Sequence, residues 1–108
     1  MEMAEYDRAA HRTVGSDLGE RDRLLLGAVG LAGEAGEVAD LVKKHVFHGH
    51  DLDRARALEE LGDILWYLAF AARTLGSSLE EVATANVKKL EARYPEGFSG
   101  KASRERRR

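Results

Sequence analysis

The chain has 108 residues, 44% hydrophobic and 33% charged, enough for one small core and too apolar for a disordered chain. It has no cysteine, which excludes a disulfide scaffold, a zinc finger, an iron–sulfur cluster and a thiol nucleophile. No apolar run reaches the roughly 18 residues of a membrane span, and the start, MEMAEYDRAAHRT, lacks a secretory signal's apolar segment, so the expected compartment is the cytoplasm.

The net charge of −2 is unevenly spread. The last eight residues, KASRERRR, carry net +4, and the rest carry −6. A nucleic-acid-binding domain would spread its basic face over folded elements, so nucleic acid is not an expected partner.

Apolar residues recur at intervals of three and four, with one proline and no alternating Val/Ile/Thr run. This pattern predicts an all-α chain. A first helix is expected over residues 3–13, with Met3, Tyr6 and Ala10 on one face, and a loop over 14–20. Asp22 is a good N-cap for a second helix reaching about His45, with Leu24, Leu31, Val38, Leu41 and His45 along one stripe. A turn covers 48–53. A third helix follows over 54–75, its stripe formed by Leu58, Leu61, Leu65, Leu68 and Leu75. Gly76 suits the position after a helix C-cap. Ser78 to Glu81 reads as a capping box opening a fourth helix, which ends before Pro95. Residues 99–108 are expected to be a disordered tail.

In helix two, Gly27, Gly30, Gly33 and Gly36 recur every three residues. Each costs a helix about 1 kcal/mol relative to alanine. Either the helix is locally irregular, or something approaches closely where a Cβ would block it.

Helix two also carries Glu34 and Glu37, and helix three Glu60 and Asp63. Spacing of three puts the two acids of each pair on one helical face. The short turn makes the helices antiparallel neighbours, so the pairs can oppose one another. Two carboxylates about 5 Å apart repel by roughly 3 kcal/mol at an effective dielectric of 20, so four converging acids call for a cation between them. The other reading is two ordinary solvated faces. Oxygen ligands suit Mg²⁺, Mn²⁺ or Ca²⁺, and Mg²⁺ goes with phosphate chemistry. His45, His48 and His50 could in principle hold a metal, but their turn contains glycine and is expected to be exposed. On helix four, Asn86, Lys89 and Arg93 share one face, either solvated or set to clamp phosphate, where arginine can bind in bidentate fashion.

The stretches GLAGEAGEVADLVKK, EELGDILWYLA and NVKKLEARYPEGF resemble the MazG-like branch of the all-α nucleoside triphosphate pyrophosphohydrolases. The similarity spans about residues 22–98: ExxE, then ExxD, then the Asn–Lys–Arg run. At the less similar start, Asp7 stands where the family often has glutamine. The resemblance implies a four-helix bundle-like domain over 1–98 with a basic tail over 99–108. It implies Mg²⁺-dependent hydrolysis of a nucleoside triphosphate to the monophosphate and pyrophosphate, with Mn²⁺ as a substitute, in nucleotide-pool housecleaning. Glu34, Glu37, Glu60 and Asp63 would be the metal ligands, and Glu34 or Glu37 would also orient or deprotonate the attacking water. Asn86, Lys89 and Arg93 match the family's substrate-contacting run. Tyr67, one turn after Asp63, would line the nucleotide pocket, and Lys44 would lie on the phosphate side.

Two other readings compete. One is phosphoribosyl-ATP pyrophosphohydrolase, a relative with the same fold. The other is a non-catalytic helical dimerisation module. A di-metal ferritin-like bundle wants Glu-x-x-His, which the chain lacks. Helices two and three are long for so small a chain, and Ile64, Leu65, Trp66, Leu68, Phe70 and Ala71 make helix three apolar around its circumference. Such a helix must be covered on several sides. A homodimer or homotetramer is expected, with helix two or three at the interface.

Overall fold

The computed structural model describes residues 1–15 and 17–105. They form five helices and no strand: α1 (Met3–His11), α2 (Glu20–His48), α3 (Arg54–Thr74), α4 (Leu79–Arg93) and α5 (Gly100–Arg104). The all-α architecture expected from the spacing is the one that forms. α2 and α3 make an antiparallel hairpin, the most extensive pairing in the chain. α1 and α4 pack on α3 and on each other.

Local chemistry explains most boundaries. Asp53 caps α3 by accepting from the Arg56 backbone N–H at 3.0 Å, and Ser78 caps α4 by accepting from that of Glu81 at 3.2 Å. Half of the expected capping box therefore forms; the Glu81 carboxylate instead accepts from the Ser77 hydroxyl at 2.8 Å. Gly76 has φ of +79° and Gly49 has φ of +73°, conformations that a Cβ disfavours, and they stop α3 and α2 respectively.

Besides α1, which ends at His11 rather than at residue 13, three boundaries differ from expectation. α2 begins at Glu20 with Gly19 as its N-cap residue, so Asp22 lies inside the first turn, where an acid still favours the helix dipole. The Arg23 Nε–H donates to the Leu18 carbonyl at 2.9 Å, holding the preceding loop without a side-chain cap. α2 also continues to His48, because Gly49 is the residue able to turn the chain. The expected disordered tail instead contains α5, whose first turn Ser99 caps by accepting from the Ala102 N–H at 3.0 Å. The disorder expected for residues 106–108 lies outside the described residues.

One buried acid ties the ends of the chain together. Asp7, 7% exposed, accepts from the Leu79 backbone N–H at 3.0 Å. It satisfies an orphan donor at the start of α4 and fixes α1 across it. Nearby, the Trp66 indole N–H donates to the Thr13 hydroxyl at 2.8 Å, and the Trp66 and Phe70 rings stack at 5.4 Å.

The leucine stripe expected to form α3's packed face is not what packs. The face turned to α2 carries the partly buried Ala57, Glu60, Ile64, Tyr67 and Ala71. Leu58, Leu61, Leu65, Leu68 and Leu75 are exposed, Leu58 at 68%. Both faces are apolar enough to pack, and only register across the hairpin decides between them. The buried hydrophobic residues are Ala69, Phe70, Ala72 and Leu79, and no large side chain is fully buried among the described residues. The radius of gyration is 17.0 Å, against about 13 Å for a compact chain of this length.

α2 is regular despite its glycines. A Cβ at Gly27 would touch Phe70 and Ala71 at 3.4 Å, and one at Gly30 would overlap the Tyr67 ring. Close approach therefore accounts for the first two glycines. Cβ atoms at Gly33 and Gly36 would meet nothing within 4 Å.

Candidate metal centre

The missing Cβ at Gly30 lets the Tyr67 ring lie against α2, which sets the hairpin's spacing near the acids. One turn further along α2, and one and two turns back along α3, three carboxylates converge. One oxygen each from Glu34, Glu60 and Asp63 lies within 4.8 Å of the other two. Glu34 and Glu60 are partly buried and Asp63 is exposed, so the cluster has a covered floor and an open rim.

The crowding shows in the protonation of Glu34. A hydrogen bond with Glu60, partial burial, and the charges of Glu60, Asp63 and Glu37 push its pKa up to about 7. In the metal-free protein the Glu34–Glu60 pair thus retains a proton near neutral pH, which relieves the repulsion. Tyr6, on α1, is raised above its ordinary value by burial first, then by the charges of Asp63 and Asp7. Its hydroxyl belongs to the same electrostatic neighbourhood.

The donor set fits a hard divalent cation. It is all oxygen, it is anionic, and its span is close to the roughly 4.2 Å between opposite ligands in an octahedral shell with 2.1 Å bonds. An ion would displace the Glu34 proton and offset most of the cluster's charge.

Glu37 is not part of the convergent three. Its Oε2 lies 3.6 Å from Nη2 of Arg56, whose Nε is 3.8 Å from Glu60 Oε1. Arg56 thus bridges the two helices beside the cluster. Sequence reasoning did not single it out, although its i, i+4 relation to Glu60 was visible. Lys44 pairs with Asp40 at 2.9 Å, and Lys43 pairs with the other oxygen of Asp40 at 3.3 Å; the Asp40 pKa falls below its ordinary value through these two lysines.

The remaining site residues are spread. Tyr67 is partly buried on α3, its ring edge-on to Trp66 at 5.0 Å between centroids. Asn86 and Lys89 are exposed on α4, and Arg93 is partly buried in its last turn. At the histidine cluster, His45 Nδ1 lies 2.8 Å from the His50 carbonyl. Among the described residues, the group able to hold a metal is Glu34, Glu60 and Asp63.

Comparison with known proteins agrees with this geometry. Residues 26–98 match the family described as the MazG nucleotide pyrophosphohydrolase domain. The chain is 35% identical over 102 residues to the "Gene 37 protein" of Mycobacterium phage L5, covering 89% of this chain and 87% of that one. No solved structure matches it. The matched residues include the whole acidic cluster, α2 from residue 26 onward, α3 and α4, and the chain belongs to the MazG nucleotide pyrophosphohydrolase family.

Proposed function

We propose that this protein hydrolyses nucleoside or deoxynucleoside triphosphates to the monophosphate and pyrophosphate, using Mg²⁺ and accepting Mn²⁺, in housecleaning of the cytoplasmic nucleotide pool. The observation that carries the reading is the convergence of Glu34, Glu60 and Asp63 across the α2–α3 hairpin.

Glu34, Glu60 and Asp63 would hold the ion, with Glu37 beside them on α2. A divalent ion there supplies charge neutralisation for the triphosphate and acidifies water. Glu34 or Glu37 orients or deprotonates the attacking water. Tyr67 lines the nucleotide side. Asn86, Lys89 and Arg93 bind the phosphates and offset charge developing on the leaving pyrophosphate. Lys44 joins them by leaving Asp40 to Lys43.

The working form is a homo-oligomer, a dimer or tetramer. The exposed leucines of α3, together with Val29, Val46 and Phe47 of α2, Phe47 at 77%, form more apolar surface than a small monomer leaves in water. A second copy of the hairpin supplies a matching apolar face.

The deciding experiment is a panel of NTPs, dNTPs and phosphoribosyl-ATP assayed for pyrophosphate with Mg²⁺ and with chelator. Metal-dependent pyrophosphate release from at least one NTP or dNTP is expected. Phosphoribosyl-ATP as the one active substrate would move the activity to the histidine-synthesis relative. No release from any substrate would leave a helical interaction module.

A further inference from the structure

The proposed reaction leaves Arg56 without a task, yet Arg56 is a cation reaching into the carboxylate cluster. It sits in the first turn of α3, where its backbone N–H is held by Asp53 at 3.0 Å. Its guanidinium spans the hairpin, 3.6 Å from Glu37 on α2 and 3.8 Å from Glu60 on α3. Glu60 is the interior partner, its side chain 13% exposed, while Glu37 is 53% exposed. The exposed acid thus lies with the arginine, outside the convergent three.

We propose that Arg56 is a built-in counter-cation: it holds Glu37 and Glu60 across the hairpin while the cluster is metal-free and gives way when a divalent ion takes the Glu60 carboxylate. The inference rests on the metal reading above and adds to it a residue that sets the affinity. Arginine suits the task because its charge is permanent and its planar fork reaches two acceptors at once. Both contacts are longer than the roughly 2.8 Å of a charge-assisted hydrogen bond. They are loose ion pairs, which a directly coordinated divalent cation can outcompete. Glu37 is then free to swing toward Glu34, one helical turn away.

The test is calorimetric titration of the whole protein with Mn²⁺ and with Mg²⁺, in wild type, Arg56→Met and Arg54→Met. Arg54→Met removes the same charge two residues away, and residues two apart do not share a helix face. The Kd of Arg56→Met should fall about two- to fivefold, the size expected for an exposed ion pair, and that of Arg54→Met should change less. A second readout needs no variant: the Arg56 Nε–H resonance should shift as metal saturates the wild-type protein. An unchanged or higher Kd in Arg56→Met, an equal gain in Arg54→Met, or an Arg56 resonance that stays in place would overturn the inference alone. A wild-type protein that binds neither ion would overturn it together with the metal reading.

Discussion

Between α2 and α3 the chain packs carboxylates and a tyrosine among Ile64, the partly buried Leu31, Val38 and Leu41, and small residues; on the outside of the same hairpin it exposes leucines, valines and a phenylalanine. A helix pair that served only as its own core would keep the carboxylates outside and the leucines in. The inner face has the composition of a site, crowded with like charge until a cation or a proton relieves it. The outer face has the composition of a core without its other half. The two faces differ in chemistry, a carboxylate cluster on one and exposed apolar side chains on the other, so they respond to different perturbations.

The largest expected effect is on the inner face. Glu34→Gln, Glu37→Gln, Glu60→Gln or Asp63→Asn should each lower turnover by more than about 100-fold, the upper end of what losing a merely outer-shell metal partner costs. Circular dichroism should show all four folded, and thermal melts of the metal-free variants should match or exceed wild type, because each removes repulsion. Turnover like wild type in any two of them would break the assignment of the inner face to metal.

The outer face should respond in mass rather than in chemistry. Leu58→Glu combined with Leu65→Glu places charges in the exposed stripe. Light scattering at micromolar concentration should give at least twice the chain mass of 11.9 kDa for wild type and the single-chain mass for the double variant. A wild-type mass near 11.9 kDa would mean that the apolar face is left in water, and the contrast between the faces would lose half its content.

The glycines sharpen the contrast along α2 itself. Gly30→Ala must push the Tyr67 ring aside, an overpacking cost of about 1–3 kcal/mol. Gly33→Ala meets nothing and should gain up to about 1 kcal/mol from helix propensity. Denaturant melts measure both. Equal losses would show that the second half of the ladder is also closely packed, against a partner chain.

Which of these features could be read from the chain follows from the range of the interactions behind them. Helices α3 and α4 were legible because their signals are local: Ser78, Gly76 and a three–four spacing sit within one or two turns. Three of the four paired acids were legible as a cluster because one helical turn relates each pair and a short connection relates the two helices; Glu37 turns to Arg56 instead. The packed face of α3 was not legible. Leu58, Leu61, Leu65 and Leu68 are the stronger apolar stripe, and nothing in one chain's sequence says that they face outward. Arg56 was missed because its bond to Glu37 depends on register across the hairpin. The role of Asp7 as a cap for Leu79 depends on a contact 72 residues away. The start of α2 was misread because Gly19 caps without a side chain.

Protonation gives a smaller and graded effect on the inner face. The Glu34 pKa near 7 means that an entering ion expels a proton below that pH. Metal affinity should fall by up to about tenfold per pH unit below 7 and level off above it. Folding responds with the opposite sign. The proton is bound more tightly in the folded than in the unfolded chain, where the ordinary value of 4.5 applies. Glu34's stabilising contribution in the metal-free protein is therefore complete below pH 4.5 and lost as the pH rises through about 7. Glu34→Gln should flatten both profiles in calorimetry and in melts.

The tail should respond least to change. Cutting after Gly100 removes residues 101–108, five of them basic, and with them α5. That helix is five residues long and capped by Ser99 alone. A single turn is far below the length at which a helix sustains itself in water, and Lys101, Ser103 and Arg104 are exposed. The two faces of the hairpin lie more than a helix away in sequence, so neither should register the loss. Stability should change by less than about 0.5 kcal/mol, as surface changes away from packed features do, and turnover should hold. A tenfold loss of turnover with unchanged stability would show that the basic segment reaches the inner face of a neighbouring copy, joining the two faces that the single chain keeps apart.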